Sequence, residues 1–321
     1  MIQVRKIGVL TSGGDAPGMN AAVRAVVRSA AAAGIETIGV YRGYQGLIDG
    51  DFKPLTDVSG IIQRGGTVLY TARCEQFFDP EFRMIGIELA KQAGMDGLVV
   101  IGGDGSFRGA RCLSMEGLPT VGIPATIDND IACSEYTIGF DTAANVALEA
   151  IDRLRDTSMS HHRCSVVEVM GRHAGFLALE VGVASGALAV VVPERECNLE
   201  TEIFDRIRAG GMSQYIVVVA EGASVPAHII AEQIEEQTGM QARLTVLGHV
   251  QRGGAPTARD RVTATRMGER AVELLRHGIG NRVVAVKSSH IIDYDIGEAL
   301  EMTKGLDEKL YLLCSKVAGS N

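Results

Sequence analysis

The sequence predicts an α/β protein built on mostly parallel sheets. Apolar segments rich in β-branched residues alternate with helical patterns along the chain, and this alternation gives parallel sheets with helices on both faces. The run Leu98–Ile101 is apolar throughout, as expected of a strand buried on both faces. Glycine-rich loops with an acidic residue follow some of these segments, at the sheet edge where α/β proteins bind ligands.

The strands are assigned in order from the apolar runs. They lie near residues 6–10, 37–40, 97–101, 120–123, 165–169, 188–192, 215–219, 243–247 and 282–286. A helix rich in alanine and valine is expected from about Asn20 to Ala33. A second helix is indicated by apolar residues at helical spacing with charged residues opposite them. Its apolar face comprises Phe140, Ala144, Ala147, Ile151 and Leu154, and its charged face Glu149, Asp152, Arg153 and Asp156.

Length and composition narrow the class of protein. A chain of 321 residues predicts about two domains, and 46% hydrophobic with 22% charged residues is ordinary for a soluble globular enzyme. A net charge of −8 argues against a nucleic-acid partner, although clustered arginines can still bind a small anion. No apolar run is long enough to cross a membrane, and the six cysteines lack metal or redox spacing. We therefore expect a cytoplasmic protein with free thiols and no membrane partner.

The loop Pro124–Asp130 carries two carboxylates, those of Asp128 and Asp130. The preceding run Thr120–Ile123 reads as a buried strand, so the acids lie at its carboxyl end. Paired acids there suit general-base work or metal holding. The same pattern also suits turn formation or a helix cap, so the residues alone leave the choice open.

Two further loops repeat this design. The loop Gly102–Ser106 follows a strand and precedes a helical pattern, so its glycines can approach a ligand and its amides can bind an anion. Asp104 could then hold Mg²⁺ on phosphate oxygens, although a tight turn would require glycine as well. The segment Thr11–Asn20 follows the first strand in the same way. It matches neither the Walker A nor the dinucleotide-binding glycine pattern.

The second half of the chain places charged residues at strand ends. The planar fork of arginine suits bidentate binding of phosphate. Each such residue alone is more often a solvated charge, or, for histidine, a buried and satisfied side chain, so the interpretation depends on their repeated placement. The residues are Arg163, Met170–Arg172, Glu221, Arg243, His249 and Arg252.

Together these segments resemble the bacterial type of the ATP-dependent 6-phosphofructokinase family. The matching stretches are TSGGDAPGMN at 11–20, VVIGGDGS at 99–106, PATIDND at 124–130, VVEVMGRHAG at 166–175 and VLGHVQRGG at 246–254. The resemblance runs from about residue 6 to 290. It implies a glycolytic enzyme that transfers a phosphoryl group from MgATP to the 1-hydroxyl of fructose 6-phosphate.

The resemblance also implies an architecture. Two three-layer α/β domains with mostly parallel sheets would enclose an active-site cleft. Residues 1–138 and 252–300 would form the larger, ATP-binding domain, and residues 139–251 and 301–321 the smaller, fructose 6-phosphate-binding domain. The chain would form a homo-oligomer, usually a tetramer, in which Arg163 and Arg243 reach a neighbouring subunit's site.

Individual roles follow from the same resemblance. Asp128 would be the general base, with Thr126 and Asp130 positioning the sugar and the catalytic acid. Gly14, Arg73 and Arg172 would offset charge on the transferred group, and Asp104 would hold Mg²⁺. The nucleotide-binding residues would be Gly14, Arg73, Cys74, Gly103, Asp104, Gly105 and Ser106. The sugar-phosphate residues would be Thr126, Asp128, Arg163, Met170, Gly171, Arg172, Glu221, Arg243, His249 and Arg252.

Two positions bear on the phosphoryl donor. Ala125 stands where ATP-using members usually have glycine and pyrophosphate-using relatives have lysine. Gly105 stands where the pyrophosphate users have aspartate. Both residues are small and uncharged, so ATP is the expected donor and a pyrophosphate-dependent phosphofructokinase is the alternative.

The effector site departs further from the family pattern. Arg24, Arg28 and Arg155 match it, but Leu55 replaces an arginine and Leu188 replaces a glutamate. The stretch at residues 210–214 is shorter than usual and lacks lysines. Because each lost charge-assisted contact removes roughly 1.5–3 kcal/mol, the sequence predicts a weak response to ADP and phosphoenolpyruvate.

Two other classes compete with this interpretation. NAD kinases and diacylglycerol kinases share the G-G-D-G loop, but they lack the segments at 124–130 and 170–172. A non-catalytic subunit that binds sugar phosphate is opposed by the presence of Asp104, Asp128 and Arg172.

Overall fold

The computed structural model of the chain describes residues 4–212 and 214–318. The chain forms two compact units. The first takes the described residues up to Ile127, then Ile131–Asp141 and Arg252–Lys304. The second takes Asp128–Asp130, Thr142–Gln251 and the described residues from Gly305 onward. The predicted domain limits include residues 1–3 and 319–321, and the predicted effector loop includes Ser213; these residues lie outside the described part of the chain.

Parallel strands form the centre of each unit. The strands are β1 Lys6–Thr11, β2 Glu36–Val40, β3 Phe52–Pro54, β4 Gly97–Gly102, β5 Thr120–Pro124, β6 Cys164–Val169, β7 Ala189–Val191, β8 Tyr215–Ala220, β9 Ala242–Val246, β10 Arg282–Lys287 and β11 His290–Asp295. The first unit holds a seven-stranded sheet of order β11-β10-β5-β4-β1-β2-β3. The second holds a four-stranded, fully parallel sheet of order β7-β8-β6-β9. The predicted α/β class with mostly parallel sheets is confirmed.

Helices connect these strands. They are α1 Met19–Ala32, α2 Gly43–Asp49, α3 Pro80–Gln92, α4 Asp104–Met115, α5 Phe140–His161, α6 Phe176–Ser185, α7 Asp205–Ala209, α8 Ala227–Thr238, α9 Ala258–Arg276, α10 Ile296–Glu301 and α11 Glu308–Val317. Within the described ranges, no helix has both the length and the apolar character needed to cross a membrane.

The predicted helical faces agree with the observed burial. Four residues of the predicted apolar face of α5 are buried, namely Phe140, Ala144, Ala147 and Ile151, and the fifth, Leu154, is half-buried. The predicted charged face is exposed. Helix α1 packs closely on α9, where a Cβ built on Gly268 would lie 2.5 Å from the Cβ of Ala25. The apolar stripe therefore determines which side of each helix packs inward.

Two strands were not predicted, and both are antiparallel strands at the edges of the larger sheet. Strand β3 pairs with β2, and β11 pairs with β10. Strand β3 has three residues and ends in a proline. The turn before β11 uses Ser288 and Ser289 at φ 48° and 66°, a left-handed geometry that usually carries asparagine or glycine. The sequence therefore lacks the usual signal for this hairpin.

Candidate active site

Three loops of the first unit meet at the carboxyl ends of central strands in the seven-stranded sheet. They follow β1, β4 and β5, which are neighbours in that sheet. The amide of Ser12 donates to the carbonyl of Ile101 at 2.9 Å, and the amide of Ala125 donates to the carbonyl of Gly102 at 2.9 Å. A Cβ on Gly102 would lie 2.5 Å from the carbonyl oxygen of Ser12. The structure thus brings together loops that the sequence could identify only one at a time.

The segment before Arg73 lies beside the first of these loops. The hydroxyl of Thr71 donates to the carbonyl of Gly13 at 2.8 Å, and the hydroxyl of Thr11 donates to the carbonyl of Tyr70 at 2.9 Å. Arg73 is exposed, and Cys74 is half-buried at the start of the short turn Glu75–Phe78. Arg73 and Cys74, both predicted to bind the nucleotide, therefore follow a segment that is hydrogen-bonded to the end of β1 and the loop after it.

Arg252 contacts the same glycine loop. Its Nη1 donates to the carbonyl of Asp15 at 3.2 Å. A Cβ built on Gly14 would lie 2.7 Å from that Nη1, so glycine is needed for this close approach. A residue predicted to bind the sugar phosphate is thus placed against the loop predicted to face the transferred group.

Helix α4 begins at the loop after β4. Gly103 precedes the helix, Asp104 opens it, and Ser106 is buried in its first turn. The hydroxyl of Tyr44 donates to the Ser106 carbonyl, and its ring stacks on Phe77 at 4.0 Å between centroids. Burial raises the pKa of Tyr44, which keeps the phenol protonated as a donor.

Asp104 is suited to hold magnesium that is also bound by phosphate. Its side chain is 48% exposed, and its Oδ2 accepts from Nε of Arg108, one helical turn away, at 2.9 Å. In the described part of the chain, no group of three or more His, Cys, Asp or Glu side chains is arranged for a metal ion. Mg²⁺ in nucleotide sites takes one or two carboxylates plus phosphate oxygens, so a single open carboxylate fits this use.

The two acids after β5 differ in environment. Asp128 is 7% exposed, whereas Asp130 is exposed. Asn129 between them has φ 51°, and the carbonyl of Thr126 accepts from the hydroxyl of Thr137 at 2.6 Å. The next helix begins at Phe140, so neither acid is the N-cap residue of the helix that follows in the chain.

The segment Met170–Arg172 forms a tightly held turn after β6. Glu221 Oε1 accepts from the amides of Gly171 at 3.2 Å and Arg172 at 2.6 Å. Gln251 Oε1 accepts from the amide of Met170 at 2.9 Å. The side chain of Arg172 is left exposed at the carboxyl end of the strand.

Arg163 and Arg243 lie at the other end of the same sheet. Arg163 precedes β6 and donates through Nε to Gln241 Oε1 at 2.8 Å. Arg243 lies opposite Ser165 in the register of β9 and β6, and its Nη1 is 3.4 Å from Glu235 Oε1. Since β6 has six residues, these arginines are separated from the Met170–Arg172 turn by about 20 Å. The prediction that Arg163 and Arg243 act in a neighbouring subunit's site is compatible with this separation and stays a prediction.

Glu168 was not singled out from the sequence. It lies two residues before Met170 on β6 and is half-buried. Burial, and then the nearby charge of Glu221, raise the pKa of its carboxyl. His249 lies beyond β9 in the short turn Gly248–Arg252 and is exposed, so it is not the buried, satisfied histidine considered above.

Tyr44 and Gln251 were also missed. Tyr44 carries no motif that would have revealed its contact with Ser106. Gln251 lay within the matched stretch at 246–254, between His249 and Arg252, and this position was the available signal.

The residues predicted for an effector site have varied surroundings. Leu55 and Leu188 are buried in the cores of their units. Arg155 donates to the carbonyl of Ser185, while Arg24 is half-buried and Arg28 is exposed. Neither leucine offers a polar group to a phosphate.

The first unit has glycine loops and carboxylates after adjacent parallel strands, and the second unit has a turn that exposes an arginine. These features are typical of an α/β protein that binds phosphate groups. The phosphofructokinase family model matches residues 6–275. A Bacillus thuringiensis (strain Al Hakam) protein named ATP-dependent 6-phosphofructokinase is 52% identical over 320 residues, covering 98% of this chain and 100% of the relative. The chain belongs to the phosphofructokinase family.

Solved structures agree with this membership. The phosphofructokinase of Saccharomyces cerevisiae superimposes with a TM-score of 0.88 at 35% identity. The match covers 98% of this chain and 47% of the yeast chain, so the chain spans about half the length of the yeast protein. A pyrophosphate-dependent phosphofructokinase from Marinobacter aquaeolei has a TM-score of 0.84 at 21% identity, over 94% of this chain and 86% of that one, and shares the fold.

Proposed function

We infer that the chain is an ATP-dependent 6-phosphofructokinase. It transfers the terminal phosphoryl group of ATP to the 1-hydroxyl of fructose 6-phosphate, giving fructose 1,6-bisphosphate and ADP in cytoplasmic glycolysis. The observation that carries this conclusion is 52% identity along 98% of the chain to a Bacillus thuringiensis protein with that name.

The surroundings of Gly105 and Ala125 support ATP as the donor. A Cβ on Gly105 would meet no described atom within 4 Å, so the start of α4 leaves room beside Asp104. Ala125 is 1% exposed and offers no charge to a pyrophosphate. The first unit, with its glycine loops, takes the nucleotide, and the second unit, with its arginines, takes the sugar phosphate.

Asp128 acts as the general base. Its carboxylate accepts the proton of the sugar 1-hydroxyl as that oxygen attacks phosphorus, while Thr126 and Asp130 position the sugar and the base. Burial of Asp128 at 7% exposure supports the role, because a carboxylate held away from water keeps a fixed direction toward its proton donor. The exposed Asp130 can turn toward the substrate.

The remaining residues position and balance charge. Phosphoryl transfer depends mainly on alignment and electrostatic stabilisation. The amide of Gly14 and the guanidinium groups of Arg73 and Arg172 offset the charge that builds on the transferred group, and Ser106 with Gly103 receives the nucleotide phosphates. Asp104 would hold Mg²⁺, and the ion would neutralise charge on the phosphate oxygens.

A complete sugar-phosphate site requires two copies of the chain, and the enzyme is a homo-oligomer, with a tetramer as the expected state. The support is the separation of Arg163 and Arg243 from the Met170–Arg172 turn along one sheet. The edge strand β9 also exposes Leu244 at 37% and Val246 at 56%, as expected of a surface that a second copy covers.

Regulation by ADP or phosphoenolpyruvate is weak in this chain. Buried Leu55 and Leu188 offer no charge, and Arg155 is engaged with the Ser185 carbonyl. A ligand shifts a conformational equilibrium only by its differential affinity for the two states. The two remaining arginines, Arg24 and Arg28, provide little differential affinity for such an effector.

The test is a donor assay on the purified chain. Fructose 1,6-bisphosphate formation is followed with fructose 6-phosphate and Mg²⁺, with ATP or pyrophosphate supplied separately. Turnover with ATP and none with pyrophosphate is expected. Turnover with pyrophosphate alone would establish the alternative, and turnover with neither would remove the proposal.

A further inference from the structure

Gln251 is a fully buried amide within the turn Gly248–Arg252. Its exposure is 0%, and its Oε1 accepts from the amide of Met170 at 2.9 Å. Because that donor is a backbone N–H, the oxygen must face Met170, and this fixes the orientation of the side-chain amide. Its Nε2 is buried and has no hydrogen-bond partner among the described residues.

The turn that Gln251 holds has an unusual backbone. Gly171 has φ 141° and Arg172 has φ 58°, and the latter is a left-handed conformation that arginine rarely adopts. Three successive amides, those of Met170, Gly171 and Arg172, donate to two side-chain acceptors, on Glu221 and Gln251. The backbone conformation is therefore maintained by contacts from outside the turn.

Close packing leaves this turn little freedom on the sides away from those acceptors. A Cβ on Gly171 would lie 2.5 Å from the carbonyl oxygen of Ala174. A Cβ on Gly222 would lie 2.2 Å from the carbonyl oxygen of Arg172. Small shifts of the Met170 amide are therefore transmitted along the backbone to Arg172.

The burial of Gln251 is poorly explained by stability alone. Burying a primary amide with one end unpaired is unfavourable, and an apolar side chain of similar size would fill the space at lower cost. The hydrogen bond to Met170 is the specific interaction that the amide provides. This interaction fixes the first residue of the turn, while Glu221 fixes the other two.

We propose that Gln251 is a positioning residue that sets the direction of Arg172 by holding the amide of Met170. This inference rests on the proposed function, in which Met170–Arg172 meets the sugar phosphate and the transferred group. Gln251 itself acts through the turn and touches neither substrate.

The test compares Gln251→Met, which fills the space without an acceptor, with Gln251→Glu, which keeps an oxygen toward Met170. Gln237→Met, at an exposed position on α8, is the matched control. For Gln251→Met, kcat/KM for fructose 6-phosphate should fall about 10- to 100-fold, because a small displacement of a positioned group can cost up to about 10²-fold. The KM for ATP should stay within about twofold of the control.

Amide hydrogen exchange over residues 169–172 provides a readout that does not depend on activity. Exchange should be faster in Gln251→Met and close to normal in Gln251→Glu, and Gln251→Glu should recover part of the lost kcat/KM. If Gln251→Met does not fold, Gln251→Asn, whose shorter amide cannot reach Met170, should show the same pattern.

The proposal would be overturned if Gln251→Met showed unchanged amide hydrogen exchange over residues 169–172 and an unchanged kcat/KM for fructose 6-phosphate. Equal losses in Gln251→Met and Gln251→Glu, with the KM for ATP raised in both, would also overturn it by showing a general structural effect. If the unmodified chain makes no fructose 1,6-bisphosphate, the proposed function fails. That result is distinct from unchanged amide hydrogen exchange at residues 169–172 in Gln251→Met, which would count against the proposed role of Gln251 alone.

Discussion

The two units present their candidate site residues in different ways. In the first unit, Gly14, Gly103–Ser106 and Thr126 follow β1, β4 and β5, three neighbouring strands, and all lie at one edge of the sheet. In the second unit the residues are divided between two ends of one sheet. Met170–Arg172 follows β6, whereas Arg163 precedes it.

This difference bears on how many chains a site requires. A glycine loop binds phosphate with its own backbone, so adjacent loops in one sheet can complete a nucleotide site within one chain. Arginines at the opposite end of a parallel sheet cannot reach the same ligand from one chain. We therefore propose that one copy makes the nucleotide site and that two copies share the sugar-phosphate site.

The largest effect is expected at Asp128, because the proposed general base is needed for any transfer from the nucleotide to the sugar phosphate. Asp128→Asn keeps the shape of the buried side chain but removes the base, so kcat should fall by about 10²–10⁴, as is usual for a positioned general base. Steady-state kinetics should show much smaller changes in both KM values. Asp156→Asn, on the exposed face of α5, is the control. A kcat within tenfold of the control would remove Asp128 from the base role.

The next effect separates the two substrates. Arg163→Ala and Arg243→Ala each remove a charged phosphate contact, so the KM for fructose 6-phosphate should rise about 10- to 150-fold. The KM for ATP should hardly change. Arg153→Ala, which removes an exposed arginine paired with Glu149 on α5, is the matched control. If ATP binding weakened instead, these arginines would belong to the nucleotide site.

A smaller effect is expected from the glycine loop. In Gly14→Ala the new methyl group would lie 2.7 Å from Nη1 of Arg252, so the arginine must move. Because the end of a long side chain can yield, kcat/KM should fall only about tenfold. Gly60→Ala, where a Cβ meets no described atom within 4 Å, controls for the loss of glycine. Unchanged kinetics would show that this close approach is not needed for turnover.

The last predicted effect is on the stability of the first unit and not on turnover. Burial acts to raise the pKa of Asp293 on β11, but hydrogen bonds from Arg270 and Arg282 outweigh it and lower the pKa. Asp293→Asn should therefore cost ~1–3 kcal/mol of unfolding free energy at neutral pH.

The pH dependence of that difference is set by the lowered pKa. The stabilisation by Asp293 is present above the unfolded pKa of about 3.9 and is lost as pH falls through the lower folded value. Denaturant unfolding of both proteins between neutral and acid pH should show the difference shrinking in acid. A difference that stayed constant with pH would show that the carboxylate charge is not responsible.

Much of the fold was predictable because central parallel strands are buried on both faces and therefore read as apolar runs. Every predicted strand is present, with ends displaced by at most one residue. Strands β3 and β11 were missed because neither contains a long apolar run. Strand β3 has only three residues, two of them exposed, and no residue of β11 is fully buried. The serine pair at 288–289 also hides the hairpin, because its left-handed backbone is maintained without glycine.

The candidate site was predictable wherever a short motif contained the chemistry. The loops Thr11–Asn20, Gly102–Ser106 and Pro124–Asp130, which contain Gly14, Asp104 and Asp128, were identified from strand–loop patterns. The bonds from Gln251 to Met170 and from Tyr44 to Ser106 join residues that are far apart in sequence, so no local pattern indicates them. The separation of Arg163 from the turn after β6 likewise required the sheet to be seen.

The shared site is tested most directly by mixing two inactive chains. Chains carrying Asp128→Asn and chains carrying Arg243→Ala, each with a different affinity tag, are refolded together, and the hybrid oligomer is isolated through both tags. In a symmetric pair one site then holds both defects and the other holds neither. We expect the hybrid to regain up to about half of the normal ATP-dependent formation of fructose 1,6-bisphosphate per pair. A verified hybrid no more active than the average of its two parents would contradict it.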